Sequence, residues 1–249
     1  MKYFLTIAAS DNSGGAGIQQ DIKVAWDLGY WPLSVITGIT VQNFTRARII
    51  QPVEDELVRE QMTESLSSFP VQAVKIGALT SEENVIAVAR VLERFRPSVV
   101  VLDTVIATSS GKAFLSSEAV EVMKQQLFPL TTVITPNKPE FEILTGQKFN
   151  DFSSAVEVAR EFSARWNTAV ILKGGHFGGE TVPEAVVTPA STQVFHWSRL
   201  DFSRYSHGTG CTFSSALACS LGDGYDLATA YQRATDYLRN FYSRMQREI

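Results

Sequence analysis

The sequence predicts an α/β protein whose mainly parallel sheet is covered by helices on both faces. Apolar, β-rich runs alternate with helical patterns almost from end to end. Some of these runs, "SVVVLDTV" above all, are apolar without alternation, as strands buried on both faces are. Glycine turns separate strand from helix near both ends of the chain, at "SGGAG" and at "HGTGC".

Taken in order, "YFLTIAAS" reads as a buried first strand. The opening "MKYFLTIAAS" faintly imitates a signal peptide, but one Lys and about seven apolar residues make a poor one. A glycine turn leads to the helix "GIQQDIKVAWDLG", with Gly29 expected to end it. "SVITGITVQ" is the next strand and "EDELVREQMTESLSSF" a charged, exposed helix. "AVKIGAL" runs through Thr80 and Glu83, spaced as a capping box, into a helix. Its apolar positions Val85, Val88, Ala89, Leu92 and Phe95 follow helical spacing. "SVVVLDTV" ends a central strand at Asp103, and "TVITPN" passes into a short helix opened by Pro139 and closed near Gly146. "AVILK" breaks at Gly174 and Gly175, two β-like runs follow ("EAVVTPA" and "TQVFHW"), and "HGTGC" begins a last pair of helices.

A length of 249 residues allows a full core, and one domain over 1–249 is expected. The net charge of −4 argues against nucleic acid or an anionic membrane as the main partner. No apolar stretch approaches the roughly 20 residues that cross a bilayer. Cys211 and Cys219 lie eight apart on one expected helix, roughly 12 Å along its axis and too far for a disulfide. Free thiols point to the cytoplasm.

Several common sites are missing. Ala113 follows Gly111-Lys112, so there is no phosphate-binding G-x-x-x-x-G-K-[ST] loop, and "SGGAG" is not the dinucleotide fingerprint G-x-G-x-x-G. The three histidines lie far apart without metal spacing, and no C-x-x-C or G-x-S-x-G occurs. Five motifs remain: "SGGAG", Asp103, "TPNKPE", "KGGH" and "HGTGC". Each alone has a structural reading as a turn, a cap or a helix start. Together they all follow strands, where a parallel sheet collects its ligand-binding residues. "HGTGC" in particular leaves N–H groups free at a helix N-terminus, which is an anion site with Cys211 inside it.

These segments resemble a known family. "TIAASDNSGGAGIQQDIK", "VITGITVQN", "KIGAL", "VVLDTV", "TPNKPEFEILTG", "ILKGGH" and "HGTGCTFSSALA" are similar to the hydroxymethylpyrimidine/phosphomethylpyrimidine kinases of thiamin biosynthesis, within the ribokinase superfamily. The matches run in order from residue 6 to residue 218. The resemblance implies a ribokinase-like three-layer α/β/α fold and a kinase using ATP and Mg²⁺ on an aminopyrimidine. It also suggests a homodimer.

It further implies a role for each site residue. The turn Gly208, Thr209, Gly210 and Cys211 would hold the transferred phosphoryl group, with Cys211 as general base. A helix N-terminus is expected to lower the Cys211 pKa toward neutrality. Asp103 and Glu140 would position Mg²⁺, and Lys173, Asn137 and Thr135 would serve ATP. Asp21, Gln42 and Gly15 would bind the pyrimidine. Relative to the family pattern, Ala9, Asn12, Gln20, Thr104 and Ile106 are tolerable departures; Ser109 and Tyr205 put the loops over the nucleotide in question. The near alternative is a pyridoxal or pyridoxine kinase, and the distant one a catalytically silent ligand-binding relative.

Overall fold

The computed structural model describes residues 1–108, 111–200 and 207–248; Ser109 and Tyr205, with their neighbouring loop positions, lie outside the described residues. Nine strands and eight α-helices alternate as β1 (Lys2–Asp11), α1 (Gly17–Asp27), β2 (Tyr30–Gln42), β3 (Ala47–Pro52), α2 (Asp55–Ser68), β4 (Val71–Ile76), α3 (Glu82–Phe95), β5 (Val100–Leu102), α4 (Ser117–Gln126), β6 (Val133–Ile134), α5 (Lys138–Thr145), α6 (Phe152–Trp166), β7 (Ala169–Leu172), β8 (Thr181–Val187), β9 (Thr192–Ser198), α7 (Thr209–Gly222) and α8 (Leu227–Glu248), among the described residues. One sheet holds them in the order β3-β2-β1-β4-β5-β6-β7-β8-β9. The six strands from β2 to β7 in that order run parallel, while β3 at one edge and the β8–β9 hairpin at the other are antiparallel.

The period of two along each strand divides the core into two layers. Leu5 and Ile7, Val74 and Ile76, Val100 and Leu102, and Val170 and Leu172 face α2 to α6. The intervening Phe4, Ala73, Val101 and Ile171 face α1, α7 and α8. Both faces of the parallel strands are therefore buried, which is why those stretches read as unbroken apolar runs. Helix α2 is less exposed than its charge suggests, because Val58 and Met62 are fully buried.

The capping box expected at Thr80 is not formed. Ser81 caps α3, its hydroxyl accepting from the Asn84 N–H, while Thr80 takes a left-handed φ of 70°. The Thr80 hydroxyl instead donates to the Thr37 carbonyl at 2.7 Å, tying the loop after β4 to β2. Asn84 supports the same junction by donating to the carbonyls of Thr37, Val53 and Leu79. These partners are distant in sequence, so tertiary bonding outweighs the local capping pattern.

Strand order reverses between β1 and β4: the chain first builds outward to β2 and β3, then returns to the other side of β1. Such a reversal leaves a crevice beyond the carboxyl ends of the strands. The segments that follow β1, β4, β5, β6 and β7 all open toward it.

Candidate active site

The crevice is a cavity of about 770 Å³. That size suits a nucleotide together with a small ring. Its centre is made by two glycine loops that meet backbone to backbone. In the first, the Asp11 carboxylate accepts from the N–H and hydroxyl of Ser13 (2.8 and 2.7 Å) and from the Ala16 N–H (2.8 Å). Gly17 then starts α1 at a φ of 57°, where a Cβ would lie 2.3 Å from the Ala9 carbonyl oxygen. In the second loop Gly208 has a φ of 79°, and a Cβ there would lie 1.8 Å from the Gly15 oxygen. Only glycine permits that approach. His207 Nε2 lies 2.9 Å from Asp11 Oδ2 and clamps the loops together. Asp11 is held well below the usual carboxylate range, because hydrogen bonds from His207, Ser13 and Ala16 outweigh its burial.

The second loop delivers the N-terminus of α7 to the cavity. The first bond of the helix runs from the Thr212 N–H to the Gly208 oxygen at 2.9 Å. The N–H groups of Thr209, Gly210 and Cys211 precede it, at the positive end of the helix dipole. All three residues line the cavity.

A charged cluster sits beside this turn. Lys173 Nζ lies 3.1 Å from Asp103 Oδ1, and the Thr135 hydroxyl donates to the same oxygen at 3.0 Å. A Cβ on Gly210 would fall 3.1 Å from Asp103 Oδ2, so the carboxylate lies directly against the turn. Asp103 is held below the usual range: burial acts to raise it, but Lys173 and Lys75 together prevail. Glu140 and Asn137 form the capping box of α5, with each side chain accepting from the other's backbone N–H at 2.9 Å. The same carboxylate accepts from the Thr104 hydroxyl at 3.1 Å. Burial pushes Glu140 up to about 7, with Lys173 opposing the shift and Asp103 adding to it. The helix-start reading of "TPNKPE" and its functional reading thus use the same two side chains.

The structure brings together Asp103, Asn137, Glu140, Lys173, the turn from Gly208 to Cys211, and Gln42 as linings of one cavity. Three expected site residues do not line the cavity. Asp21 is fully buried and bonded to Lys75, Thr6 and Ser215, so its carboxylate has no free edge for a pyrimidine. Gly15 turns its carbonyl to Gly208, and Thr135 is fully buried behind Asp103. The expected fall in the Cys211 pKa is also overturned. Burial pushes the thiol up to about 11, although the Lys75 ammonium pulls the other way. Desolvation of a thiolate here exceeds what the Lys75 charge and the Gly17 N–H return.

Three features of the site had no assigned role in the sequence. Lys75 lines the cavity from β4, the Asp11–His207 clamp joins residues 196 apart, and the exposed Phe44 lines the cavity from the turn after β2. Phe44 stands in a tight turn where Asn43 Oδ1 accepts from both Thr45 and Arg46 N–H groups at 3.0 Å, and its ring centroid lies 5.8 Å from that of His207. "VQN" directed attention to Gln42, but nothing in its spacing reveals which loop folds over.

The family model described as phosphomethylpyrimidine kinase matches residues 11–247, from the first glycine loop through the last helix. The chain belongs to the phosphomethylpyrimidine kinase family. Among curated relatives, the hydroxymethylpyrimidine/phosphomethylpyrimidine kinase of Rhizobium meliloti is 38% identical over 94% of this chain and 88% of its own length. The bifunctional thiamine biosynthesis protein ThiED of Geobacter sulfurreducens is 40% identical, and this chain spans about half (48%) of its length. Among solved structures, phosphomethylpyrimidine kinase from Clostridium difficile superposes with a TM-score of 0.85 at 32% identity, covering 97% of this chain and all of that one. An ADP complex of Bacillus subtilis pyridoxal kinase gives 0.86 at 28% identity, covering 95% and 90%. Like these relatives, the chain is a phosphotransferase with a ribokinase-like fold. Among the described residues, no helix is long and apolar enough to cross a membrane.

Proposed function

We propose that this kinase transfers the γ-phosphoryl group of ATP to the hydroxymethyl oxygen of 4-amino-5-hydroxymethyl-2-methylpyrimidine, and then a second one to the resulting monophosphate. The observation that carries the reading is the placement of one glycine-bounded helix N-terminus against the Asp103–Lys173–Glu140 cluster in a single cavity. In the resulting assignment the N–H groups of Thr209, Gly210 and Cys211 hold the transferred group where its charge develops. Lys173 and Asn137 serve the ATP phosphates, and Gln42 reads the pyrimidine edge. Cys211 takes the alcohol proton.

The donor set fits Mg²⁺. Asp103 and Glu140 offer hard carboxylate oxygens close enough for each to feel the other's charge, with Lys173 beside them. Asp103 and Glu140 would hold the ion, which when bound supplies charge neutralisation at the β- and γ-phosphates. The homodimer implied by the family pattern suits the exposed apolar residues Trp31, Ile39, Val41 and Ile49 along β2 and β3. A cytoplasmic location is part of the same reading.

The likeness to pyridoxal kinases, one with ADP bound, favours a second reading in which the ring is pyridoxal. Mass spectrometry of the products from ATP, Mg²⁺ and an equimolar mixture of hydroxymethylpyrimidine and pyridoxal decides between them. Pyrimidine mono- and diphosphate are expected. Pyridoxal phosphate as the sole product overturns the assignment, and no phosphorylated product from either ring restores the catalytically silent alternative.

A further inference from the structure

A fully buried ion pair lies beneath the first turn of α7. Lys75 Nζ donates to both oxygens of Asp21, at 2.9 and 2.8 Å, and both side chains are completely shielded from solvent. The Asp21 carboxylate also accepts from the Thr6 hydroxyl at 2.6 Å and the Ser215 hydroxyl at 2.9 Å. Four hydrogen bonds therefore fix it from three elements besides its own. Burying two charges costs several kcal/mol per ion before any attraction is returned, and well-packed apolar side chains often serve stability better. A pair retained in this position calls for a use.

Its position suggests one. Asp21 does not reach the cavity, but Lys75 and Cys211 both line it. Ser215, which holds Asp21, lies four residues beyond Cys211 on α7 and therefore one turn below it on the same face. A Cβ at position 77 would lie 2.9 Å from Lys75 Nζ, so Gly77 leaves the space the ammonium occupies. Asp21 thus anchors the lysine from behind and leaves its charge within electrostatic reach of the thiol. The charged groups around Cys211 are Lys75 from β4, Asp21 from α1, Asp103 after β5 and Lys173 after β7, with the Gly17 N–H adding a hydrogen bond.

We propose that Lys75 is a positioning residue for the phosphoryl transfer: held by Asp21, its ammonium is the counter-charge that lowers the cost of forming the Cys211 thiolate, the form that accepts the alcohol proton. The proposal rests on the reading above that Cys211 accepts the alcohol proton. In that step the substrate oxygen forms its bond to the γ-phosphorus as the bond from that phosphorus to the β-bridging oxygen breaks. The alcohol proton passes to the Cys211 sulfur, and Lys75 stays protonated throughout.

The test is alkylation of Cys211 by iodoacetamide, followed by peptide mass spectrometry across pH 7–9. It compares the wild type, Lys75→Met, Asp21→Asn and the double variant Lys75→Met/Asp21→Asn. The double variant is included because the single change strands a buried carboxylate and could prevent folding. Reaction requires the thiolate, so each unit of pKa is a factor of about ten in rate at fixed pH. At pH 8 the rate should fall roughly tenfold or more in Lys75→Met if circular dichroism shows it to be folded, and the folded double variant should react more slowly than Asp21→Asn, from which it differs only by Lys75. The kcat for hydroxymethylpyrimidine should fall by a similar factor, and that for its monophosphate by much less. An unchanged alkylation rate in folded Lys75→Met, or equal rates in the folded double variant and Asp21→Asn, overturns the proposal, as does an equal loss in both phosphorylations. If the wild type phosphorylates neither pyrimidine, the functional reading fails, and the alkylation rates still decide the role of Lys75.

Discussion

At the scale of single residues, two ionisable groups hold their protons more tightly than usual. Cys211, at about 11, is a neutral thiol near pH 7. The alcohol step therefore draws on a thiolate fraction that grows about tenfold per pH unit. The monophosphate carries its own anionic oxygen, with a second pKa near 6. Single-turnover rates from pH 7 to 9 should rise steeply for the alcohol and stay nearly flat for the monophosphate. Cys211→Ala should slow the first by roughly 10²–10⁴-fold and the second far less. Equal losses would make Cys211 a spacer at the turn. Glu140, pushed up to about 7, carries the opposite kind of consequence. Between the ordinary glutamate value and 7 the folded chain binds a proton that the unfolded chain has released, so this group's contribution to stability declines as pH rises through that window. Without divalent metal, Glu140→Gln should raise the melting temperature at pH 8 and give no advantage at pH 5, while turnover falls on the order of 10²-fold. A variant as active as the wild type at saturating ATP would remove Glu140 from the mechanism. The site residues that the sequence misplaced are also explained at this scale. Asp21 follows a glycine turn at the start of a helix, as a substrate ligand would. Only the positions of Thr6, Lys75 and Ser215, on three other elements, reveal that its carboxylate turns inward.

At the scale of elements, the sequence was most legible where pattern and burial coincide. The unbroken runs at β1, β4, β5 and β7 are strands covered on both faces, and the small residues of α7 pack an almost wholly buried helix. The edge strand β3 carried no such signal because four of its six residues, Arg48, Ile49, Gln51 and Pro52, are exposed. The loops set the site, and here adjacent glycines differ. A Cβ at Gly174 would lie 1.5 Å from the Pro183 oxygen, whereas one at Gly175 would meet nothing within 4 Å. Gly174→Ala should cost roughly 1–3 kcal/mol by urea unfolding, and Gly175→Ala less than about 0.5. Similar losses at both positions would contradict the close packing of β8 against this loop. By the same geometry Gly208→Ala should push α7 away from Gly15, abolishing turnover with both acceptors because the N–H groups move together.

At the scale of the whole molecule, the sheet places all the chemistry at one edge of the strands, and each contributing loop enters from a different point along the chain. Strand alternation made that convergence foreseeable. The pairing of particular loops was not, since it depends on the order β2-β1-β4, which no local pattern encodes. The Asp11–His207 pair has a pH signature at this scale. Asp11 is depressed in the folded chain, so its stabilisation is complete above the ordinary aspartate range and is lost as pH falls through and below that range. Asp11→Asn should therefore lower the melting temperature at pH 7 and narrow the difference from wild type at pH 3; a constant gap would show that the charge is not what matters.

That clamp also has a consequence in time. Its two halves are 196 residues apart, and the thiol, the helix N-terminus and the second glycine loop all follow the later half. A ribosome must therefore pass His207 before any phosphate-holding turn can exist, and among the described residues the loop to be closed is one of the longest. Contacts of such separation are intrinsically slow to form. Until they do, the first glycine loop waits with Asp11 already capped by Ser13 and Ala16, a half-built cradle that cannot consume ATP. In refolding experiments, β-sheet signal should accordingly return before kinase activity. If activity recovers in step with the earliest sheet signal, the two loops meet at the beginning of folding and not at its end.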